Sequence, residues 1–389
     1  MGLLTMRISL RLGLLSCFIG LAGCSYLRLQ QGPVPSADDW TMYGGTIGRT
    51  NASRAEVNPP LTMLWENDAS AGFGPYSGAI AGDYLFVGTL HGEVQAIDLR
   101  TGQTAGNYNF GTSLIGTPVI DHSEMYVAVS RSEESLLGYN LVTGTIDWRA
   151  KVGDIESSPL LMGGRLYVTS TEGTLSSVQA ANGQVEWTFK LPPRVRTRMI
   201  RSSPASDGTS VIFGGDDGEV YAVGAADGKL RWSAKTDGSI VASPSVARGK
   251  VFVGSLDNSF YAFDAETGKR VWKQPLGARI FTSQAVNDRS VFVGTAGRYV
   301  YCLDAETGSI VWRSVTNSVL NSPPLVSGSV VYIGCLDKTL YAYAAATGEL
   351  LWKYQTEGRI KTMPVAWKDM LFVLAEDRSV LAFKQSETR

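Results

Sequence analysis

Histidine is almost missing from this chain: the 389 residues include two, His91 and His122. They lie in separate predicted turns, so they do not match the ligand spacing of a metal site and suggest no Ser-His-Asp arrangement. A basic excess is also missing, since 35 Lys and Arg stand against 36 Asp and Glu. Nucleic-acid-binding proteins normally carry such an excess. We therefore expect no catalytic residues, no metal and no nucleic-acid partner.

Long apolar runs are lacking, and the one near the N-terminus, Leu12 to Leu21, is too short to span a bilayer. It follows Arg7 and Arg11 and ends in Leu-Ala-Gly-Cys, which resembles the bacterial lipobox, where the peptide is cut before a cysteine that becomes lipidated. Cys24 is the predicted lipidation site; the alternative is an ordinary thiol after a plain secretory signal. Because Ser25 and not Asp follows, the usual rule implies the outer membrane, with the protein facing the periplasm.

These features divide the chain into four predicted segments. Residues 1–23 form a lipoprotein signal peptide, and residues 24–39 form the lipidated cysteine with a Gln-, Gly- and Pro-containing flexible tether. Residues 40–385 form one folded ring, in which residues 40–51 pack as a short lead-in, and residues 386–389 form a tail. Cys302 and Cys335, in predicted strands of adjacent repeats, are expected to be small buried residues. A bridge between them stays open, since it depends on their Cα separation.

Glycine is abundant, with 43 residues, and seven glycines recur in one phrase. Its clearest copies are Asp264-Ala-Glu-Thr-Gly268 with Trp272, and Asp304-Ala-Glu-Thr-Gly308 with Trp312. Looser copies centre on Gly102, Gly144, Gly183, Gly228 and Gly348. Six of the seven glycines have Trp four positions later, whereas the first copy has Gly106 there. A period near 40 residues with strand-like sequence in each unit indicates a propeller or a solenoid.

Each unit predicts four short antiparallel strands. Between residues 243 and 275 the strands are Ser243–Val246, Lys250–Gly254, Phe260–Asp264 and Arg270–Lys273, joined by tight turns such as Asp257-Asn258. Four such strands make one propeller blade. The repeated glycine supplies a turn with positive φ, and the repeated Trp suits a large flat side chain wedged between neighbouring blades.

The count of units predicts an all-β, eight-bladed β-propeller of four-stranded antiparallel blades. After the seventh unit, residues 362–383 supply three further strands and the pattern stops before the fourth. Leu61 to Glu66 looks like that fourth strand without a blade of its own. The closing blade is therefore expected to combine both ends of the chain, which leaves few free sheet edges.

The Asp-x-x-Thr-Gly-x-x-x-Trp repeats resemble those of the PQQ-like propeller family, over about residues 61–385. One branch, the quinoprotein alcohol dehydrogenases, holds pyrroloquinoline quinone and Ca²⁺ at the ring centre. The other is non-catalytic and includes the BamB family of outer-membrane assembly lipoproteins, which act beside the BamA insertase. This chain has no adjacent Cys-Cys pair and is much shorter than the dehydrogenases. The paired carboxylates Glu133-Glu134 and Asp216-Asp217 are expected in turns.

The longest step between repeats, 45 residues, contains a basic and partly apolar insertion at 190–201, between the third and fourth units. It is placed as a partner-contacting loop is in the BamB family, although its residues do not match one by one. Arg and exposed apolar residues suit partner contacts; the alternative is a solvated basic loop. The candidate partner-binding residues are Arg194, Arg196, Arg198, Met199, Ile200 and Arg201.

These observations predict a monomeric, lipid-anchored, non-catalytic propeller that binds proteins, without a cofactor. A BamB-like role in outer-membrane protein assembly, with a BamA-like insertase as partner, is what the resemblance implies. A quinone- or ligand-binding redox propeller is the alternative from a different class. A propeller that binds an extracellular polymer or another enzyme is a third.

Overall fold

The computed structural model describes residues 26–76, 78–192 and 199–386. All regular elements in these ranges are β-strands. They form eight sheets, each with a core of four antiparallel strands, arranged as a β-propeller. The predicted fold class is confirmed. None of the described residues belongs to a helix that is long and apolar enough to cross a membrane.

The blades are numbered in chain order, and the strands of each are given from the ring axis outwards. Blade 1 contains Ala79–Ala81, Tyr84–Gly88, Glu93–Asp98 and Thr104–Asn109; blade 2 contains Val119–Asp121, Glu124–Ala128, Leu136–Asn140 and Thr145–Ala150; blade 3 contains Leu160–Met162, Arg165–Thr169, Thr174–Gln179 and Val185–Lys190; blade 4 contains Ala205–Ser206, Ser210–Gly214, Glu219–Gly224 and Leu230–Lys235. Blade 5 contains Ser245–Ala247, Lys250–Gly254, Ser259–Asp264 and Arg270–Pro275; blade 6 contains Ala285–Val286, Ser290–Gly294, Tyr299–Asp304 and Ile310–Val315; blade 7 contains Leu325–Ser327, Val330–Gly334, Thr339–Ala344 and Leu350–Gln355; blade 8 contains Val365–Trp367, Met370–Leu374, Ser379–Gln385 and Leu61–Asp68. A further strand, Ala52–Ser53, pairs in parallel with Leu325–Ser327.

Blade 8 joins the two ends of the chain. Leu61–Asp68 pairs antiparallel with Ser379–Gln385, with Met63 opposite Phe383 and Trp65 opposite Ala382. The orphan strand near the start of the chain is thus the outermost strand of the last blade. The predicted closure of the ring is confirmed, and it satisfies a strand edge that would otherwise be free.

The middle strands of each blade are buried on both faces because neighbouring blades cover them. In blade 5, Val251, Phe252 and Val253 are all fully buried. The outermost strands instead alternate, so that Trp272 is buried between exposed neighbours. A pleated strand points successive side chains to opposite faces, and this one-sided burial is what the alternating sequence encodes.

The tryptophans lie between blades, as the repeat predicts. Trp232 of blade 4 donates from Nε1 to the carbonyl oxygen of Ala265 in blade 5 at 2.9 Å. Its indole covers Gly268, which has φ +71°, and a Cβ on that glycine would lie 2.6 Å from the ring. Glycine is therefore required both by the backbone conformation and by the ring. The same contact joins Trp65 to Gly102, Trp148 to Gly183, Trp187 to Gly228, Trp272 to Gly308 and Trp312 to Gly348.

Two faces of the ring are distinguished by their connections. One side of the ring carries the turns between the first and second strands and between the third and fourth strands of each blade. We call this side the top face. Its turns are bonded to one another, for example from the Leu99 amide to the Asp83 carbonyl at 2.9 Å. The bottom face carries the turns between second and third strands and the loops between blades. There the Leu90 amide donates to the Gly72 carbonyl at 2.9 Å.

The N-terminal segment differs from the expected flexible tether. Leu27 is fully buried and Leu29 is 4% exposed, both within the core of blades 1 and 2. Residues 32–34 then approach the top-face turns at Ser123 of blade 2 and Gly82 of blade 1. The prediction of flexibility was wrong for these residues. It rested on the content of Gln, Gly and Pro and gave no weight to the two leucines, whose apolar side chains are buried in the core. Residues 1–25, including Cys24, lie outside the described residues.

Candidate functional site

The axis of the ring is occupied by residues 40–53 of the chain itself, which we call the axial segment. It follows the innermost strands around the ring, hydrogen bonding with one residue of most blades. Trp40 forms an isolated bridge with Ile80 of blade 1. Carbonyl oxygens of the axial segment accept hydrogen bonds from the amides of Ile120, Ser206, Val246, Val286 and Val326 at 2.7–3.0 Å. The predicted lead-in therefore packs on the ring, and it also fills the channel.

Arg49 is the central side chain of this segment, and it is 1% exposed. Its Nε donates to the Pro204 carbonyl at 2.8 Å, and Nη2 donates to the carbonyls of Ser158 and Pro159 at 3.1 and 2.8 Å. Nη1 donates to the Tyr43 carbonyl. Burial lowers the pKa of Arg49 to about 10. Its partners are backbone carbonyls, so the guanidinium ties the innermost strands of blades 3 and 4 to the axial segment.

Two tyrosines complete the filling of the channel. The rings of Tyr43 and Tyr76 meet edge to face with centroids 4.8 Å apart, and Arg49 lies 5.3 Å from the centroid of the Tyr43 ring. Burial raises the pKa of both phenols. A cavity of about 70 Å³ remains beside them, bordered by Phe281 and Asn321. Small-molecule sites usually measure roughly 300–1,000 Å³, so the ring centre does not fit a pyrroloquinoline quinone.

Hydrogen bonds to serine hydroxyls run from blade to blade around this centre. They explain why several repeats have Ser or Thr directly before Pro at the start of the blade. The amide of Thr117 donates to Oγ of Ser158, the amide of Ser158 to Oγ of Ser203, and the amide of Ser203 to Oγ of Ser243, at 2.8–2.9 Å. The amide of Ser243 continues to Oγ of Ser283 at 3.1 Å. Each bond joins one blade to the next, from blade 2 to blade 6.

Few titratable groups converge elsewhere. No three His, Cys, Asp or Glu side chains in the structurally described part of the chain are grouped to hold a metal ion. His122 pairs with its exposed neighbour Asp121 at 2.8 Å. Glu133 is 88% exposed and pairs with Lys151 at 2.9 Å, as expected for a solvated hairpin tip.

The two cysteines of the ring are both buried and free. They belong to the apolar core shared by blades 6 and 7. Burial raises the pKa of each thiol to about 11, so the reactive thiolate is disfavoured. The expectation of small buried residues is met by Cys302 and Cys335.

The described ends of the candidate partner loop, residues 190–192 and 199–201, lie on the bottom face between blades 3 and 4. Arg194, Arg196 and Arg198 lie outside the described residues. Met199 is 37% exposed and is available to a partner. Ile200 is fully buried in the core of blades 2 to 4, so its assignment to a binding surface was wrong. The repeat could have predicted this burial, because Ile200 is equivalent to Ile240 and Ile280, which are also fully buried.

Arg201 is held in place by a two-point contact with Asp216. Its Nη2 and Nε donate to Oδ2 and Oδ1 at 2.7 and 3.2 Å. The Asp216 side chain is 6% exposed, whereas that of Arg201 is 42% exposed. Asp217 accepts from the Tyr221 hydroxyl at 2.5 Å and from the Glu219 amide at 3.1 Å. The paired carboxylates thus serve the turn, as predicted, and Asp216 also orients a half-exposed cation toward the bottom face.

A closed ring of eight blades defines a β-propeller of the quinoprotein repeat class. Tryptophan–glycine contacts join six pairs of neighbouring blades, and residues 40–53 pack against the innermost strands. The family model described as outer membrane protein assembly factor BamB matches residues 55–188, 172–280, 268–357 and 300–389. The chain belongs to this family.

Similar sequences include two factors named outer membrane protein assembly factor BamB. That of Burkholderia pseudomallei is 28% identical over 173 residues, which is 42% of this chain and 45% of the relative. That of Alteromonas naphthalenivorans is 27% identical over 182 residues, 33% of this chain and 43% of the relative. The matched region therefore spans less than half the length of either relative.

Solved structures of both branches share the fold. The crystal structure of BamB from Moraxella catarrhalis superposes with a TM-score of 0.70 and 18% identity, covering 83% of this chain and 99% of that chain. The quinohemoprotein alcohol dehydrogenase from Comamonas testosteroni superposes with a TM-score of 0.74 and 15% identity, covering 90% and 82%. At these identities the likeness concerns the fold alone.

Proposed function

We propose that this protein is a non-catalytic scaffold in the assembly of outer-membrane β-barrel proteins. In this proposal a signal peptide over residues 1–23 is removed, and a lipid on Cys24 holds a monomeric propeller on the periplasmic side of the outer membrane. Membership of the BamB family over residues 55–389 supports this role. The sequence Leu-Ala-Gly-Cys at residues 21–24 supports the anchor.

The observation that carries the non-catalytic role is the filled axis of the ring. The dehydrogenase branch of the family holds its quinone and Ca²⁺ at the ring centre. In this chain Tyr43, Arg49 and Tyr76 occupy that place and leave about 70 Å³. Oxidation of an alcohol on a quinone requires a positioned base and a Lewis acid beside the cofactor. The polar side chains at this centre include two phenols, several serines and a guanidinium that is bound to carbonyls.

The proposed partner surface is the bottom face around residues 190–201. Met199 supplies exposed apolar area, and Arg201 is pre-oriented by Asp216, which reduces the entropy lost when it binds. Arg194, Arg196 and Arg198 add positive charge to the same loop. We infer a protein partner with acidic and apolar groups, for which a BamA-like insertase is the leading candidate.

A pull-down tests the partner surface. A variant with Ala at Arg194, Arg196 and Arg198 should recover severalfold less partner from crosslinked native membranes, because rim charges steer association. A matched control replaces three exposed top-face or outer-strand arginines, Arg100, Arg270 and Arg289, and removes the same charge. It should bind like the wild type. Equal recovery by both variants would reject the loop as the partner surface, and the identity of the recovered proteins would reveal an enzyme partner instead.

Two further measurements test the anchor and the redox alternative. Cys24→Ala should release the protein from membranes, and full sedimentation of this variant after a high-salt wash would contradict the lipid anchor. Purified protein should gain no bound-quinone absorbance when pyrroloquinoline quinone and Ca²⁺ are added. A stoichiometric absorbance change would favour the ligand-binding redox propeller.

A further inference from the structure

The gap between blades 1 and 2 lacks the tryptophan that joins other neighbouring blades. The first repeat carries Gly106 at that position. Residues 26–29, which we call the N-terminal clamp, occupy the vacated space. A Cβ on Gly106 would lie 2.9 Å from the Tyr26 carbonyl oxygen and 3.2 Å from Cα of Leu27. The absence of a side chain at Gly106 is therefore what admits the clamp.

The clamp is bonded to blade 2 as well as packed against it. The amide of Leu29 donates to the Leu141 carbonyl at 2.7 Å, and the Tyr139 hydroxyl donates to the Leu27 carbonyl at 2.7 Å. Nε of Arg28 donates to the Val142 carbonyl at 3.0 Å. The Arg28 stem covers Gly144, the turn glycine that tryptophan covers elsewhere. Two buried leucines and three hydrogen bonds fix the clamp at the rim of the top face.

This contact determines how far the ring can lie from a lipid on Cys24. Two peptide steps separate residue 24 from residue 26, and an extended chain spans at most ~3.6 Å per residue. The clamped rim is thus within about 7 Å of the lipidated residue. A flexible linker of the predicted length would have permitted every orientation, whereas the clamp permits few.

We propose that the clamp holds the propeller with the top-face rim of blades 1 and 2 against the membrane surface, so that the bottom face points away from it. The proposal rests on lipidation of Cys24. Exposed side chains of the N-terminal segment fit a lipid headgroup region: Tyr26 is 61% exposed and Val34 is 68% exposed. Tyrosine is enriched at this depth of membranes because its ring is apolar and its hydroxyl is polar. Residues 199–201 lie on the opposite face, where a partner in the periplasm reaches them.

Fluorescence transfer to headgroup-labelled lipids tests this orientation in the full lipidated chain. One dye is placed by Thr143→Cys in the exposed top-face turn of blade 2, and another by Asn317→Cys in the exposed bottom-face loop after blade 6. Cys302 and Cys335 are buried and should not be labelled. Transfer from position 143 should exceed transfer from position 317 severalfold. A Gly/Ser linker of about 12 residues, inserted between Ser25 and Tyr26, should reduce that ratio toward one, because such a linker spans ~20 Å on average.

The same linker inserted after Ser386 is the control and should leave the ratio unchanged. Equal transfer from the two positions in membrane-bound wild-type protein would overturn the proposed orientation while leaving the anchor intact. An unchanged ratio with the N-terminal linker would show that something other than the clamp sets the orientation, and would overturn the proposal too. Wild-type protein that remains in the soluble fraction would overturn the lipid anchor itself, and the orientation with it.

Discussion

Trp65 lies against Gly102 and thereby joins the last blade to the first. The indole Nε1 donates to the Leu99 carbonyl at 3.0 Å, and a Cβ on Gly102 would lie 2.5 Å from the ring. Trp65 belongs to the N-terminal strand of blade 8, which is paired with the C-terminal strand. One side chain of the N-terminal strand thus holds the closing blade against blade 1.

Replacing this tryptophan should weaken the whole ring. Trp65→Ala should lower the free energy of unfolding by about 3–5 kcal/mol, since a buried aromatic and its cavity are both lost. Chemical denaturation measures the change. Leu64→Ala, at an exposed position of the same strand, is the matched control and should stay within about 0.5 kcal/mol of wild type. A variant at position 65 whose free energy of unfolding stays within about 0.5 kcal/mol of wild type would show that this contact contributes little.

A small side chain at Gly106 should displace the clamp without breaking the ring. Gly106→Ala places a Cβ against Tyr26 and Leu27, and such overpacking costs about 1–3 kcal/mol. Hydrogen exchange should accelerate at residues 26–31 and remain slow in blades 4 to 7. Gly72→Ala is the control, because its Cβ would have no neighbour nearer than 3.9 Å. Unchanged protection at residues 26–31 would mean that the clamp tolerates the methyl group.

Arg49 should stabilise the fold through its hydrogen bonds to buried carbonyl oxygens and not by neutralising an acidic side chain. Arg49→Met keeps the volume but leaves the carbonyls of Tyr43, Ser158, Pro159 and Pro204 without this donor. Each unsatisfied buried group costs about 1–3 kcal/mol, so a total loss of about 3 kcal/mol or more is expected. Arg54→Met, exposed and a few residues along, should be neutral. Equal thermal stability of the two variants would argue against the central role of Arg49.

Alkaline pH should destabilise the propeller through its buried phenols. Burial raises the pKa of Tyr126 and of Tyr341 from 10.0 to about 12 each. A raised folded-state pKa stabilises the fold below pH 10, and this stabilisation is lost as pH rises from about 10 to about 12. The melting temperature should therefore fall between about pH 10 and about pH 12. Tyr126→Phe should show a smaller fall; a drop as large as that of wild type would assign the effect to other groups.

The ring was predictable from sequence because its determinants are local and repeated. Gly268 and Trp232 specify one contact between two blades. Because both residues recur with a period near 40, the same contact forms between other neighbouring blades. Leu61 to Glu66 could be recognised because the pattern lacked one strand at its other end. Ile200 was misassigned because a basic neighbourhood outweighed its equivalence to Ile240, although the repeat fixes burial more strongly than local charge does.

The axial segment and the clamp could not be derived in this way. Three of the four hydrogen bonds of Arg49 go to backbone carbonyls 109 to 155 positions away, and such carbonyls leave no trace in residue identity. Leu27 and Leu29 look unremarkable among Gln, Gly and Pro. The only available sign was Gly106, where the repeat lacks its tryptophan and something else must fill the space.

The seam in blade 8 also sets the order in which the molecule can mature. Thr62 and Ser386, bonded at 2.7 Å, are 324 positions apart. Contacts this distant in sequence form slowly, because the entropy cost of closing a large loop comes before the contacts stabilise the chain. Blades 1 to 7 can assemble while the chain is being made, whereas the strand Leu61–Asp68 stays unpaired because its partner, Ser379–Gln385, is the last strand of the chain. An incomplete chain therefore leaves the strand Leu61–Asp68 unpaired until the strand Ser379–Gln385 has been made, and an unpaired strand edge is prone to association with other chains.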